Sequence, residues 1–180
     1  MAILYRIYWY SRLCLLWSWL YRCLYQRKYR SVPIEEMGTP DAVQGRLNIL
    51  KWKKDSFREL WDAIGSPHWV QHCINTMLSG NDQPDGAMDC DEFAVWAAKA
   101  LIPFYKPVVL NVFWRSKTYS GHNVCLYQMD GAFYSIGNWG KMGPKSSAKA
   151  MAEAIASRAD GALIGWAEFT PDLRLVSVMK

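Results

Sequence analysis

The stretch "GAMDCDEFAVWAAKAL", residues 86–101, decides how the chain is read. An acidic, polar lead gives way at Asp89 to an apolar, alanine-rich run that Pro103 closes. Phe93, Ala94, Ala97, Ala98 and Leu101 recur at helical spacing, which predicts a helix with a buried face and Cys90 in its first turn. Free backbone N–H groups and the macrodipole at a helix start favour a thiolate, and so a nucleophile. The carboxylates of Asp89 and Asp91 oppose a thiolate and suit helix capping. An inert cysteine heading a buried helix is the bland competitor.

Upstream, "DSFRELWDAIG" (55–65) and "SPHWVQHCINTMLSG" (66–80) also carry helical spacing, and Ser66-Pro67 is a good helix start. "SVPIEEMGTPDAVQGR" (31–46) reads as an irregular lead-in, broken by Pro33, Gly38 and Pro40. Downstream, "PVVLNVFWRS", "HNVCLYQMD" and "AFYSIG" read as strands, with Asp130-Gly131 as a hairpin turn. A helix over "SSAKAMAEAIASRA" and strands in "ALIGWAEFT" and "LRLVSVM" complete the chain. Helices first and mostly antiparallel strands after them give an α+β domain over residues 31–180.

The chain has 180 residues, 51% of them hydrophobic, enough for one globular domain with a real core. Its five cysteines form no C-x-x-C pair, so free thiols in a reducing compartment such as the cytoplasm are expected rather than a disulfide framework. The net charge of +5 is unevenly spread. Residues 1–30 hold Arg6, Arg12, Arg22, Arg27, Lys28 and Arg30 and no acid, so this head is +6 and the body is −1. The head is also crowded with Tyr, Trp and Leu. Its uninterrupted apolar run, Leu13–Tyr21, is too short to span a bilayer, and no cleavage pattern marks a signal peptide. Tyr, Trp and Arg suit docking onto a protein assembly or a membrane surface. Packing as a first helix on the domain's own core is the alternative. Nucleic acid is the weakest reading, because no recognition motif accompanies the basic residues.

The three histidines are His68, His72 and His122. His68 and His72, four apart on one helix and followed by Cys73, share the spacing of zinc ligands. Trp69 stands where a zinc protease carries its glutamate, and no second ligand pair lies near, so an amphipathic helix explains them better. His122 opens the second strand, and Asn138 ends the third. A short hairpin brings these two positions to the same end, away from Asp130-Gly131. That places a base beside an orienting amide.

These residues give the chain a resemblance. "MDCDEFAVWAAKAL" followed by "GHNVCLYQMDGAFYSIGNW" resembles the transglutaminase-like cysteine peptidase superfamily, across residues 86–140. The resemblance implies a papain-like core, with a nucleophile helix packed on an antiparallel sheet. It implies Cys90 as nucleophile, His122 as general base and acid, and Asn138 as the orienting third residue. The activity implied is hydrolysis of a peptide or amide bond through an acyl-enzyme, with a protein or peptide as substrate. No cofactor is required, although acids flanking the nucleophile imply calcium at Asp89, Asp91 and Glu92. Two positions depart from the pattern: Met88 replaces a glycine, and Gly137 falls where an aspartate is expected. Asn138 follows at once, with Trp139 placed to shield its hydrogen bond. Those departures sustain the alternative of an inactive binding or structural module whose head docks into a larger assembly.

Overall fold

Five extended runs rich in β-branched and aromatic residues, and one short run that is not, assemble the central sheet. They are Val108–Arg115 (β1), Tyr119–Met129 (β2), Ala132–Ile136 (β3), Met142–Lys145 (β4), Ala162–Phe169 (β5) and Leu175–Met179 (β6). The computed structural model describes residues 16, 18–24, 26–53, 64–86 and 88–179. The strand order is β4-β3-β2-β1-β5-β6, and every neighbouring pair is antiparallel. Asp130 and Gly131 make the β2–β3 turn with φ of 50° and 77°. Two left-handed residues in succession match the right-handed twist of the flanking strands, which is why Asp-Gly is favoured there.

Four helices flank the sheet: Pro40–Asn48 (α1), Pro67–Leu78 (α2), Cys90–Leu101 (α3) and Ala148–Arg158 (α4). Thr39, Ser66, Asp89 and Ser147 cap their N-termini, each accepting a hydrogen bond from a backbone N–H of the first turn. That satisfies donors a helix start leaves open. The helix α1 corrects the reading of residues 31–46 as wholly irregular. Pro40 does not break structure here; it occupies the first helical turn, where its missing N–H is no loss. The helical spacing in 55–65 falls on residues 55–63, outside the described residues, while Ile64 and Gly65 are not helical. The β4 strand has no counterpart in the sequence reading.

Two cores result. Helices α1–α3 cover one face of the sheet, meeting Val109, Cys125, Tyr127, Ile136, Ala167 and Phe169. The other face belongs to α4, where Met151, Ala152 and Ile155 pack on Leu110, Val112, Val124, Leu126 and Trp166. Residues of opposite parity on β1 and β2 thus serve opposite layers, as the two-residue strand period requires. The α+β class is as the sequence indicates. Helix α3 is the centre of the first core, with Trp96 wholly buried. The Trp96 indole donates to Gln71 Oε1 at 2.9 Å, and the Glu35 backbone N–H donates to the same oxygen at 2.9 Å.

Residues 18–24 are helical and dock on the body through one polar stripe. Arg22 donates to the carbonyls of Ile64 and Gly65 at 2.9 and 2.7 Å, and Ser18 Oγ accepts from Ile64 N at 2.8 Å. Gln26 Oε1 accepts from Ser66 N. Ser18 and Arg22, four apart on the helix, and Gln26 beyond it together clamp residues 64–66. Burial lowers the Arg22 guanidinium to about 10, although the carboxylates of Glu92, Asp172 and Asp91 resist the change. Among the described residues no helix is long and apolar enough to cross a membrane.

Candidate functional site

Asp89 and Glu92 build the start of α3 as a reciprocal cap. Asp89 Oδ1 accepts from Asp91 N at 3.0 Å, and Glu92 Oε2 accepts from Asp89 N at 2.9 Å. Glu92 Oε1 takes a further hydrogen bond, from Gly65 N at 2.5 Å. A Cβ at Gly65 would lie 2.6 Å from that oxygen, so the approach needs glycine. Burial, with Asp89 and Asp91 nearby, pushes the Glu92 carboxyl well above the ordinary carboxylate range against the pull of its two backbone donors.

Cys90 is the first residue of α3 and half-buried, as a nucleophile at a helix start requires. Its thiol donates to Asp91 Oδ1 at 3.5 Å. The Asn123 side-chain amide donates to the same carboxylate oxygen. Asp91 and Asn123 are both buried, so β2 is tied to the head of α3 by a charge-assisted contact out of water.

His122 lies on the other side of the sheet. Asn123 shares its face with Cys125 and Tyr127, which pack on α3; His122 shares its face with Val124 and Leu126, which pack under α4. The His122 ring stacks on Trp139 at 3.9 Å with an interplanar angle of 18°. Trp139 is tilted against Trp114 at 6.2 Å and carries the Arg158 guanidinium 5.5 Å above its ring. Burial first, then the Arg158 charge, lowers the imidazole from 6.5 to about 4, so His122 is neutral near neutrality. The structure therefore does not bring His122 to Cys90. Nor does it join His122 to Asn138: His122 Nε2 and Asn138 Oδ1 are both buried without a hydrogen-bond partner. The hairpin does carry residues 138–139 back toward His122, but the residue in contact is Trp139, by stacking. Asp130 sits at the far end, in the turn.

The remaining sequence candidates have structural employment. His68 Nδ1 lies 2.7 Å from the Val32 carbonyl oxygen, and the His72 ring is 4.9 Å from that of Tyr29. Cys73 faces the core, and burial raises its thiol to about 12. This is not a zinc arrangement. Cys125 is buried in the first core, and its thiol is pushed up by burial. Among the described residues, Asp89, Cys90 and Asp91 offer ligand atoms within 4.8 Å of one another. Calcium takes six to eight oxygens. Here one donor is a thiol, Asp89 Oδ1 and Asp91 Oδ1 already accept hydrogen bonds, and both Glu92 oxygens are held by backbone N–H groups. The residues present do not fit calcium.

Asn123 is the residue that sequence reasoning passed over. A signal existed in the assignment of Cys125 to the core: if Cys125 faces α3, parity puts Asn123 on that face and His122 on the other. Neither a known protein-family profile nor any curated protein sequence matches the chain.

Proposed function

We propose that the chain is a binding or structural module on a transglutaminase-like layout, with residues 1–30 as its docking segment, rather than a Cys90–His122 thiol hydrolase. The observation that carries this reading is the parity of β2: Asn123 meets the head of α3, while His122 leaves the opposite face and is sealed under Trp139. A thiol hydrolase needs a base within hydrogen-bond reach of its nucleophile. A carboxylate, itself held by an amide, lies beside the Cys90 thiol.

The test is the alkylation rate of each cysteine against pH, read by mass spectrometry, in wild type, His122→Ala and Asn123→Ala. On this reading Cys90 is labelled no faster than an ordinary thiol, whose range is about 8.5, and is indifferent to His122. Selective labelling of Cys90 far below that range, lost in His122→Ala, refutes it.

A second reading is favoured by the position of Cys90 itself, half-buried at the first residue of a capped helix. In it Cys90 attacks a peptide or amide carbonyl, forms an acyl-enzyme thioester, and His122 carries the protons of acylation and hydrolysis. That chemistry requires β2 to present His122 to the α3 face, a slip of one residue against β1 and β3. Such a slip would move Val124 and Leu126 out of the second core as well.

A further inference from the structure

The head helix wears its amphipathic pattern inside out. Ser18 and Gln26, both buried, and Arg22 between them turn toward the body. Leu16, Trp19 and Leu24 fall outside that stripe and are 64%, 63% and 65% exposed. A helix packed on its own core would reverse this arrangement. Hydrogen bonds to residues 64–66 fix the orientation, so rotating the apolar side inward would break four contacts that include a buried guanidinium.

Immediately beyond the apolar residues lie Arg27, Lys28 and Arg30, all exposed. On the other side, the sequence of residues 1–15 continues the same chemistry, with Tyr5, Tyr8, Trp9 and Tyr10 among Arg6 and Arg12 and no acid. The partner this composition complements is negatively charged and offers an apolar layer just beneath its charge. An anionic bilayer interface has both properties: acyl chains for Leu16, Trp19 and Leu24, and phosphate headgroups for the flanking cations. A protein partner would need an acidic rim around an apolar groove to match the same surface.

We infer that the exposed face of residues 16–24, with the basic residues that flank it, docks the protein flat on an anionic phospholipid surface. This rests on the reading of residues 1–30 as a docking segment and names what they dock to. The helix lies in the interface without crossing it, its polar stripe still holding residues 64–66, so the body stays on the water side.

The experiment is vesicle flotation of the full chain with phosphatidylcholine alone and with phosphatidylcholine containing phosphatidylglycerol. Wild type should float with the anionic vesicles and not with the neutral ones, and added salt should release it. The pair Trp19→Ser and Leu24→Ser, and separately Arg27→Gln with Lys28→Gln and Arg30→Gln, should each weaken binding by about tenfold or more. Both variants alter exposed side chains only, and an unchanged urea midpoint verifies that they fold. Flotation with neither vesicle, or variants that float like wild type, overturns the inference. Self-association without lipid that Trp19→Ser and Leu24→Ser abolish also overturns it, in favour of a second copy of the chain. An activated Cys90 would refute the non-catalytic reading but leave the flotation result untouched, so the two failures are distinguishable.

Discussion

Acidification should destabilise the protein through His122, and the size of the effect follows from its burial. The imidazole titrates near 6.5 in the unfolded chain and at about 4 in the folded one, because burial and the Arg158 charge disfavour its cation. Between those values the unfolded state binds a proton that the folded state refuses. Stability is therefore full above about pH 6.5 and falls as pH drops toward the folded value. The loss is about 2 kcal/mol at about pH 5 and about 3 kcal/mol near pH 4. Glu92 works in the opposite sense: its raised carboxyl contributes most below the ordinary carboxylate range, and that contribution is lost as pH rises through the folded value. The comparison that isolates His122 is urea unfolding at about pH 7 and about pH 5, in wild type and His122→Gln. The variant should show a pH-dependent loss smaller by about 2 kcal/mol, whatever its stability at neutral pH. Arg158→Gln, which removes an exposed charge, should move the imidazole upward when followed by NMR. Equal losses in wild type and His122→Gln, or an imidazole that titrates near 6.5, would refute the placement of His122 beneath Trp139.

Three substitutions probe the head of α3 and the opposite core. Asn123→Ala leaves the Asp91 carboxylate buried without its amide donor and should cost about 1–3 kcal/mol in urea unfolding. A change of no more than a few tenths of a kcal/mol would mean the contact is not made. Gly65→Ala places a Cβ 2.6 Å from Glu92 Oε1 and 2.9 Å from its Cγ, so the cap must shift. Thermal unfolding should show a loss of about 1–3 kcal/mol. In Gly161→Ala the new Cβ would sit 2.1 Å from Trp114 Cδ1, which displaces the indole or the α4–β5 connection. A similar cost of about 1–3 kcal/mol is expected, and a near-ultraviolet circular dichroism change should report the moved tryptophan.

Much of the fold was legible because local rules carried it. Asp130-Gly131 announced the hairpin; Ser66-Pro67 and Asp89 announced helix starts; and the late alanine-rich run gave α4. What failed had local causes too. Pro40 in residues 31–46 resembles a breaker, yet it takes the first helical turn, where its missing N–H is no loss. The short β4 strand contains Gly143-Pro144 and pairs only at the sheet edge, where a missing backbone donor does little harm. Nothing in its composition marks it as extended.

The side on which His122 emerges was the decisive quantity, and sequence pattern is least informative there. A strand with one wet face alternates apolar and polar residues, and its register can be read. Here helices cover both faces, and positions 122–127 of β2 are all buried. "VCLY" is therefore apolar without alternation, and one residue of register separates a catalytic histidine from a structural one. The information lies instead in what each neighbour can satisfy. Asn123 can give a buried carboxylate the hydrogen bond it needs, which makes the α3 face suitable for it. His122 is neutral when buried and presents a flat ring, which suits it to the aromatic layer of Trp139 and Trp114. Exchanging the two would leave Asp91 facing an imidazole, the acid–base pairing a thiol enzyme needs near its nucleophile, and would strip Trp139 of its stacking partner. The alkylation series and the acid-stability series test that one choice from opposite faces of the sheet. An activated Cys90 predicts that His122 loses its lowered titration, and a His122 titrating at about 4 predicts an unactivated Cys90.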